Sequence, residues 1–459
     1  MNKNAFFGCI CDLRRAINSS LDNFQLSVTL VPFWTSSRFG VTIILFFGWF
    51  YIFSIRVNIN MSIVCMVNHS AIGVNDINDG PFMWDRTVQA NILGAFLWPY
   101  AILQVPGSIL VTKYGAHKVF GCVLLLSSVL TPMIPVLSRV HYIGAIVLRS
   151  TLGALMSVTF ISFQYILGRW IPVQERSRLS ALTYAGLESG ILVTYAMTGF
   201  FCEHGFDGGW PSIFYIHGIL GFILSVFWIV FIRDTPEKSK RISDEEKKYI
   251  LDNIPIKDES TDSLKKTKIP WKGILTSVPV YAIIVVLFAS DWAFLFMGTF
   301  VPTYLDDVFH FNSQNNGLIS ALPSIPLLVV TLLTGPLSDF IQNRCLSRGN
   351  TRKLFTVLLT SLDIVCSTIL KRMFSGHSKP AMIVPAFIMV GLSHVDCSSP
   401  ELAIVLLLLC NFMRGFRYAG FLENALDIDP RYAGVIFGLA NIGGSLAGYF
   451  SSVVVGSIT

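Results

Sequence analysis

The chain has 459 residues, of which 53% are hydrophobic and only 14% are charged, and its formal net charge is +6. Soluble domains carry about a quarter charged residues, so this composition excludes an ordinary soluble protein and predicts an integral membrane protein. Its apolar residues form blocks of helical length rather than alternating, which favours an all-α fold over a β-barrel. The positive charge does not indicate nucleic-acid binding, because the basic residues lie between the apolar blocks and orient them.

Windows of about 19 apolar residues, the length that crosses about 30 Å of hydrocarbon, mark the predicted spans. Six precede a polar stretch: 41–64, 90–112, 119–137, 142–167, 179–201 and 213–232. The second set is 278–300, 317–337, an unclear region at 354–392, 402–425 and 433–455. The predicted organisation is therefore an N-terminal tail (1–40), a six-helix bundle (41–232), a linker (233–277) and a C-terminal bundle (278–459).

Lysine and arginine predict the orientation, because short basic loops stay in the cytoplasm. The runs at 113–118, 174–178 and 342–353 and the linker are basic, whereas the alternate loops contain almost no lysine or arginine. The N-terminus is thus expected inside the cell, and no cleavable signal peptide is predicted. On the opposite side, Asn68 begins an Asn-His-Ser tripeptide that fits a glycosylation acceptor.

The linker contains a helix signal. Ser243 is followed three residues later by Glu246, which is the spacing of a capping box. We expect a short amphipathic helix on the cytoplasmic face. A solvated connector between two bundles is at least as well supported an interpretation of the linker as a regulatory role.

The nine cysteines are scattered and lack CxxC or histidine-rich spacing, so we expect neither metal nor redox chemistry from them. They are interpreted as small apolar side chains that fill the spans. They are Cys9, Cys11, Cys65, Cys122, Cys202, Cys345, Cys366, Cys397 and Cys410. No HExxH or GxSxG motif is present, which argues against a membrane-embedded enzyme. An ion channel is also disfavoured, because no pore-loop signature lies between the apolar blocks.

Ionisable side chains inside spans are costly and usually face a cavity or an oppositely charged group. The candidates are Arg56, Arg149, Glu188, Asp291, Arg414, Arg417 and Glu423. Arg149 lies beside Gly153 and other small residues, and its planar guanidinium suits a carboxylate or a phosphate. We therefore expect it to bind an anion. Glu188 is expected to balance Arg149 or to carry a proton, and structural ion pairs are the alternative for these residues.

The loop after the second span resembles a family motif. In "GSILVTKYGAHK", Gly107, Lys113 and Gly115 lie at or beside positions of the Gly-x-x-x-Asp-Arg-x-Gly loop of the major facilitator superfamily, and the second half keeps Gly335 and Asp339. Within that superfamily the chain resembles the anion:cation symporter group, which includes sialin, vesicular glutamate transporters and sodium–phosphate cotransporters. The stretches that carry the likeness include "RVNINMSIVCMVN", "RWIPVQERSRL", "GWPSIFYIHG" and "LDIDPRYAGVIFG".

The resemblance implies roles for several residues. Arg56 and Asn58 match the first-helix Arg-x-Asn signature, and Arg149 matches an arginine implicated in binding the anionic group of the substrate. Many relatives place a proton-coupling glutamate where this chain has Met156. Vesicular glutamate transporters also carry a histidine and an arginine where Leu93 and Ser290 stand here, which makes glutamate a poor expectation.

Two departures from the family concern the second half. Residues 361–382 form an insert, interpreted as a retained intron or mispredicted exon, and the chain stops at Thr459. The resemblance thus implies two six-helix bundles, of which about eleven helices are recognisable and the twelfth is missing.

The expected function is secondary active transport of phosphate, sialic-acid-like or other carboxylate anions by alternating access. Its coupling acid would be Glu188, Asp291 or Glu423, and sodium, protons or membrane potential would drive it, without a cofactor or a bound metal. The alternative is a truncated, transport-incompetent relative with a receptor-like or regulatory role. The plasma membrane and lysosomal or vesicular membranes all host relatives, and the sequence does not indicate an oligomeric state.

Overall fold

The computed structural model describes residues 34–68, 80–254, 270–292 without 289, 313–344, short pieces between 347 and 429, and 432–458. We number its apolar helices in chain order and count a bent or interrupted helix once. They are α1 (Ser37–Met66), α2 (Arg86–Ile102 and Gln104–Tyr114), α3 (Ala116–Leu130 and Met133–Val140), α4 (Tyr142–Met156 and Thr159–Trp170), α5 (Arg176–His204), α6 (Ser212–Phe231), α7 (Val278–Trp292), α8 (Ser313–Ala321 and Ser324–Arg344) and α9 (Ala433–Ile458).

Among the described residues, five helices are long and apolar enough to cross a membrane, or seven if each bent pair is one span. The first six predicted spans lie on α1 to α6, and those predicted at 317–337 and 433–455 lie on α8 and α9. Of the span predicted at 278–300, the described part lies on α7 and the rest lies outside the described residues. The insert at 361–382 and Glu423 lie outside the described residues. The all-α prediction is confirmed, whereas the count of eleven helices stays a prediction.

Prolines account for the two sharp bends. α2 bends by 54° at Leu103, and Pro106 lies three residues later, where it cannot donate to the carbonyl of Ile102. α3 bends by 47° at Thr131 and Pro132, and Pro135 removes the next helical hydrogen bond.

Glycines bring α1 and α5 into close contact. Gly186 and Gly190 face the backbone carbonyls of Phe46 and Phe50 so closely that a Cβ atom at either glycine would collide with them. This small-xxx-small spacing lets two membrane helices approach at backbone distance.

A disulfide joins the same two helices where both end. Cys65 and Cys202 are bonded, with their Cα atoms 6.1 Å apart. The interpretation of all the cysteines as apolar fillers was therefore wrong for this pair. The reason is that the two cysteines are 137 positions apart along the chain, and sequence spacing gives no signal for such a contact.

The molecule has two distinct ends. We call the end with the basic runs 113–118 and 174–178 the basic end, and the end with the disulfide the far end. Asn68 lies at the far end, just beyond α1, where its N–H donates to the carbonyl of Phe82 over 2.8 Å. This is the side on which glycosylation is expected, and the modification stays a prediction.

The linker helix (Asp244–Asn253) is docked rather than solvated. Ser243 caps it by accepting a hydrogen bond from the N–H of Glu246, as the capping-box spacing predicts. The Glu246 carboxylate accepts from the N–H groups of Ser37 and Arg38, both at 3.0 Å, and so caps α1. Arg38 also pairs with Glu175 at 2.9 Å. The linker helix is therefore fixed to the basic end of the N-terminal bundle.

Among the described residues, two sets of helix contacts join the bundles. α8 packs along α5, with Gly317 against the carbonyl of Tyr195 at the far end and Gly335 against Ala181 at the basic end. α9 packs on α2 and α4, where Gly434 lies against Ile161. The middle of the molecule, enclosed by these contacts, contains the candidate site.

Candidate functional site

Arg149 lies inside the N-terminal bundle, and its side chain is almost fully buried, with 2% exposed. Its Nη1 donates to the carbonyl of Ile55 at 3.3 Å and its Nη2 donates to the carbonyl of Arg56 at 3.2 Å. Its Nε has no hydrogen-bond acceptor among the described residues. The guanidinium is therefore held against the middle of α1 by its two outer nitrogens.

Arg56 and Arg149 share one aromatic ring. The guanidinium carbon of Arg56 lies 5.3 Å from the centroid of the Phe96 ring, and that of Arg149 lies 5.2 Å from the same centroid. The guanidinium carbon of Arg56 also lies 5.2 Å from the centroid of the Phe53 ring and 5.3 Å from that of the Tyr100 ring. Aromatic faces attract cations and are most effective where water is excluded. The rings thus help to hold two like charges close together in a region of low dielectric constant.

Gly153 explains why Phe96 lies at this point. A Cβ atom at Gly153 would collide with the backbone carbonyl of Phe96, so only glycine allows α2 to approach α4 here. The small residue predicted to accompany Arg149 therefore positions the ring that both arginines contact.

The C-terminal bundle reaches the same region through α9 and α7. Asn441 Nδ2 donates to the hydroxyl of Tyr100 over 2.9 Å, which is a hydrogen bond between the bundles. One turn along α9, Gly444 lies directly against the carboxylate of Asp291. Asp291 is thus an acid on the C-terminal side of the central region, close to the Tyr100–Asn441 contact.

Asn58 lies on a different face of α1 from Arg56. Residues two apart on a helix do not face each other, and Ser54, one turn before Asn58, bonds to the carbonyl of Gly190 on α5. Asn58 is fully buried, and neither its amide nitrogen nor its amide oxygen has a hydrogen-bond partner among the described residues. The structure therefore separates the two polar residues of the Arg-x-Asn signature.

Glu188 is buried in α5, one turn after Tyr184. The hydroxyl of Tyr184 accepts a hydrogen bond from Gln164 Nε2 at 2.7 Å, which links α5 to α4. Glu188 therefore lies near a second polar contact inside the N-terminal bundle.

The three predicted loop residues lie at or near the basic end. Gly107 faces Val158, at the interruption of α4, with no space for a Cβ atom, and Lys113 is exposed. Gly115 has a φ of 89°, which favours glycine, and Asp234 lies against it. Asp234 accepts a hydrogen bond from His117 N at 2.8 Å, so a carboxylate from the end of α6 caps α3.

Asp339 makes a similar cap across the bundles. Its carboxylate accepts from Ser177 N at 3.2 Å and from Arg178 N at 2.8 Å, in the first turn of α5. A carboxylate at a helix N-terminus is favoured by the unpaired N–H groups and by the helix dipole. This contact, which we call the Asp339 cap, links α8 to α5 at the basic end.

Sequence reasoning missed Phe96, Tyr100, Asn441 and Gln164. Their only signal is the polar or aromatic side chain inside an apolar block, and such residues are common in cores. No group of three or more metal-ligating side chains occurs in the part of the chain that the structure describes.

The fold and site define a membrane transporter in which two helical bundles meet around buried charges. A family model described as Major Facilitator Superfamily matches residues 38–452. The chain is 33% identical over 426 residues to vesicular glutamate transporter 1 of Xenopus tropicalis, covering 92% of this chain and 69% of that protein. Human vesicular glutamate transporter 2 is 32% identical over 426 residues, which again cover 92% of this chain and 69% of that protein.

A solved structure of a proton:xylose symporter of the same superfamily, bound to 6-bromo-6-deoxy-D-glucose, matches the fold with a TM-score of 0.59 at 15% identity. The match covers 93% of this chain and 90% of that one. The chain belongs to the Major Facilitator Superfamily and, within it, to the anion:cation symporter group. It is a multi-pass membrane transporter and not an enzyme, as the motifs predict. No observation specifically favours the alternative of a transport-incompetent regulatory relative.

Proposed function

We propose that this transporter carries small organic or inorganic anions and binds their carboxylate or phosphate group at Arg149 and Arg56. The observation that supports this proposal most directly is the convergence of the two guanidiniums on Phe96. Two cations in a medium of low dielectric constant repel each other. An anion between or beside them relieves that repulsion and accepts the directed hydrogen bonds of arginine.

The chemistry of the substrate follows from the same residues. The planar guanidinium of arginine presents N–H donors that match both carboxylate and phosphate groups. Phosphate, sialic-acid-like carboxylates and other organic anions are therefore the proposed substrates. The named relatives are vesicular glutamate transporters. Because Leu93 and Ser290 stand where those proteins carry charged or ionisable side chains, we do not propose glutamate as the leading substrate.

Alternating access would use the contacts between the bundles. For the central region to open to one side and then to the other, the Tyr100–Asn441 hydrogen bond and the Asp339 cap have to break at different stages. Asp291 and Glu188 are the proposed coupling acids within the described residues, because both are buried and Asp291 lies close to the Tyr100–Asn441 contact. Sodium, protons and the membrane potential are the proposed driving forces.

The membrane orientation is proposed from two independent features. Basic loops stay in the cytoplasm, and disulfides persist in oxidising compartments. Both features support an orientation with the basic end in the cytoplasm and the far end, with Cys65 and Cys202, outside the cell or in a lumen. The plasma membrane and lysosomal or vesicular membranes all satisfy this arrangement.

The test is uptake into proteoliposomes under separately imposed sodium, proton and voltage gradients. The labelled probes are phosphate, sialic acid, glutamate and an aromatic organic anion. We expect Arg149→Lys and Arg56→Lys to lower uptake at least about tenfold, since lysine keeps the charge but not the planar fork. The control is Arg139→Lys, which changes an exposed arginine at the far end.

Two outcomes would contradict the proposal. One is normal uptake by a folded Arg149→Lys protein. The other is uptake of neutral solutes only. If Arg149→Lys lowered the melting temperature together with uptake, Arg149 would instead have a packing role. The melting temperature is therefore measured in parallel.

A further inference from the structure

An apolar groove opens between α2, α3 and the interruption of α4. Its volume is about 440 Å³, within the range of about 300–1,000 Å³ that is usual for ligand-sized clefts. Its deep wall includes Gly107 and Val158, and its outer wall includes Leu110, Tyr114 and Cys122, which are exposed on the lipid-facing surface. The groove is separate from the region around Arg56 and Arg149.

The groove has the length of one membrane leaflet. It runs along α2 from Leu103 to Tyr114, which is about 16 Å at a rise of about 1.5 Å per residue. One leaflet contributes half of a hydrocarbon core that is about 30 Å thick, or about 15 Å. An acyl chain that enters from the headgroup region would therefore fill the groove and end near the middle of the bundle.

Positive charge is confined to one end of the groove. Lys118 lines the groove at the basic end and is exposed. The ammonium group of Lys113, also exposed, lies 5.3 Å from the centroid of the Tyr114 ring, which forms part of the wall. The nearby acid, Asp234, accepts a hydrogen bond from His117 N and caps α3. Lysines at the headgroup level attract anionic lipids.

We propose that the groove binds one anionic glycerophospholipid of the leaflet at the basic end, with its acyl chain along α2 and its headgroup at Lys113 and Lys118. The match to one leaflet favours a lipid over a neighbouring helix, which would extend across both leaflets. The charge at one end favours an anionic headgroup over a neutral one. Because the groove touches Gly107 of α2 and the first segment and interruption of α4, the lipid contacts helices that also pack against α9.

The test uses photoreactive lipids and the full-length protein in nanodiscs. Phosphatidylserine and phosphatidylcholine probes, each with a diazirine on one acyl chain, are cross-linked separately, and the labelled peptides are mapped by mass spectrometry. We expect phosphatidylserine to label residues 103–126 at least about fivefold more than phosphatidylcholine, since each lysine near an anionic group favours it by about fivefold.

Three variants separate the contribution of the lysine charges to lipid binding from that of the groove's shape. Lys113→Gln combined with Lys118→Gln is expected to abolish the preference for phosphatidylserine. Lys238→Gln combined with Lys240→Gln removes the same charge from exposed positions in the linker and is expected to preserve the preference. Cys122→Phe fills the groove from its lipid-facing side and is expected to reduce labelling by both probes without removing charge.

Equal labelling by the two probes would overturn the proposal. The phosphatidylserine probe labelling α6 as strongly as the groove would also overturn it. So would an equal effect of the Lys113/Lys118 and Lys238/Lys240 double variants on the preference for phosphatidylserine. Cross-links to a second copy of the protein at 103–126 would assign the groove to self-association instead and would also overturn it.

Discussion

At the scale of single residues, Gly153 determines the geometry around the two arginines. Replacing it with alanine would place a Cβ atom against the carbonyl of Phe96 and force α2 away from α4. We expect a loss of about 1–3 kcal/mol in the free energy of unfolding, which is typical of overpacking, together with reduced uptake. Thermal unfolding and transport assays measure the two effects.

Gly94 supplies the matched control, because it is also helical and buried but has no heavy atom within 4 Å of an added Cβ atom. Gly94→Ala is expected to leave stability unchanged or to raise it slightly, since alanine favours a helix. If the two variants behaved alike, the close approach at Gly153 would have no energetic importance.

Asp207, an exposed residue of the loop between α5 and α6, provides a prediction about pH. The hydrogen bond from Arg139 holds the pKa of this carboxyl below its ordinary value of 3.8. A lowered folded-state pKa means that the charged form stabilises the fold above about pH 4, and that this contribution is lost as pH falls through the folded-state pKa.

Wild-type protein and Arg139→Gln should therefore differ in melting temperature by the same amount at about pH 7 and about pH 5, and the difference should shrink at lower pH. Melting curves across this range measure it. A difference that disappeared already at about pH 5 would show that another group titrates. The pair is thus expected to persist in an acidified lumen.

At the scale of helices, the disulfide between Cys65 and Cys202 fastens the far ends of α1 and α5. Cross-links that close long loops typically stabilise proteins by about 2–4 kcal/mol. We expect Cys65→Ser, Cys202→Ser and reduction of the wild-type protein to lower the melting temperature by similar amounts. The control is Cys122→Ser, because Cys122 is free.

Mass spectrometry under non-reducing conditions should find the peptides that contain Cys65 and Cys202 joined. If both thiols were alkylated without reduction in protein purified from its native membrane, the pairing and the inferred oxidising compartment would be wrong.

How far the sequence predicts the helices depends on the range of the interactions involved. The spans α1 to α6 follow from local hydrophobicity, and the bends of α2 and α3 follow from Pro106 and Pro135. The burial of Arg149 follows from its position in an apolar block. These features depend on residues that are neighbours along the chain.

The rest depends on which helices meet, and sequence spacing does not contain this information. The capping-box spacing predicts the start of the linker helix, but Glu246 uses its carboxylate to cap α1 instead of its own helix. Likewise, Tyr100 and Asn441 bond across 341 positions of sequence separation. The Arg-x-Asn motif groups Asn58 with Arg56, whereas helical geometry directs the two residues to different faces.

At the scale of the whole molecule, the two bundles are joined at different heights by contacts of different chemistry. The Tyr100–Asn441 hydrogen bond lies in the middle, and the aromatic stack of Phe160 on Phe437 lies nearby, with ring centroids 5.1 Å apart. The Asp339 cap lies at the basic end. A rocking motion that opens the basic end must break the cap and can leave packing near the far end intact.

Asp339→Asn should therefore shift the protein toward a form that is open at the basic end. Hydrogen bonds to charged groups contribute about 1.5–3 kcal/mol each, so we expect at least about a tenfold change in the ratio of the two forms. Cysteine accessibility at Ala181, which packs against Gly335 beside the cap, measures this ratio through the modification rate of Ala181→Cys.

Asp234→Asn is the matched control, because Asp234 caps α3 from α6 within a single bundle. It should lower thermal stability without changing the accessibility of Ala181→Cys, since its contact does not break when the bundles separate. Equal effects of the two substitutions on accessibility would mean that neither cap reports on the opening of the basic end. A change confined to Asp339→Asn would establish that this carboxylate stabilises the form closed at the basic end, because it caps a helix of the opposite bundle.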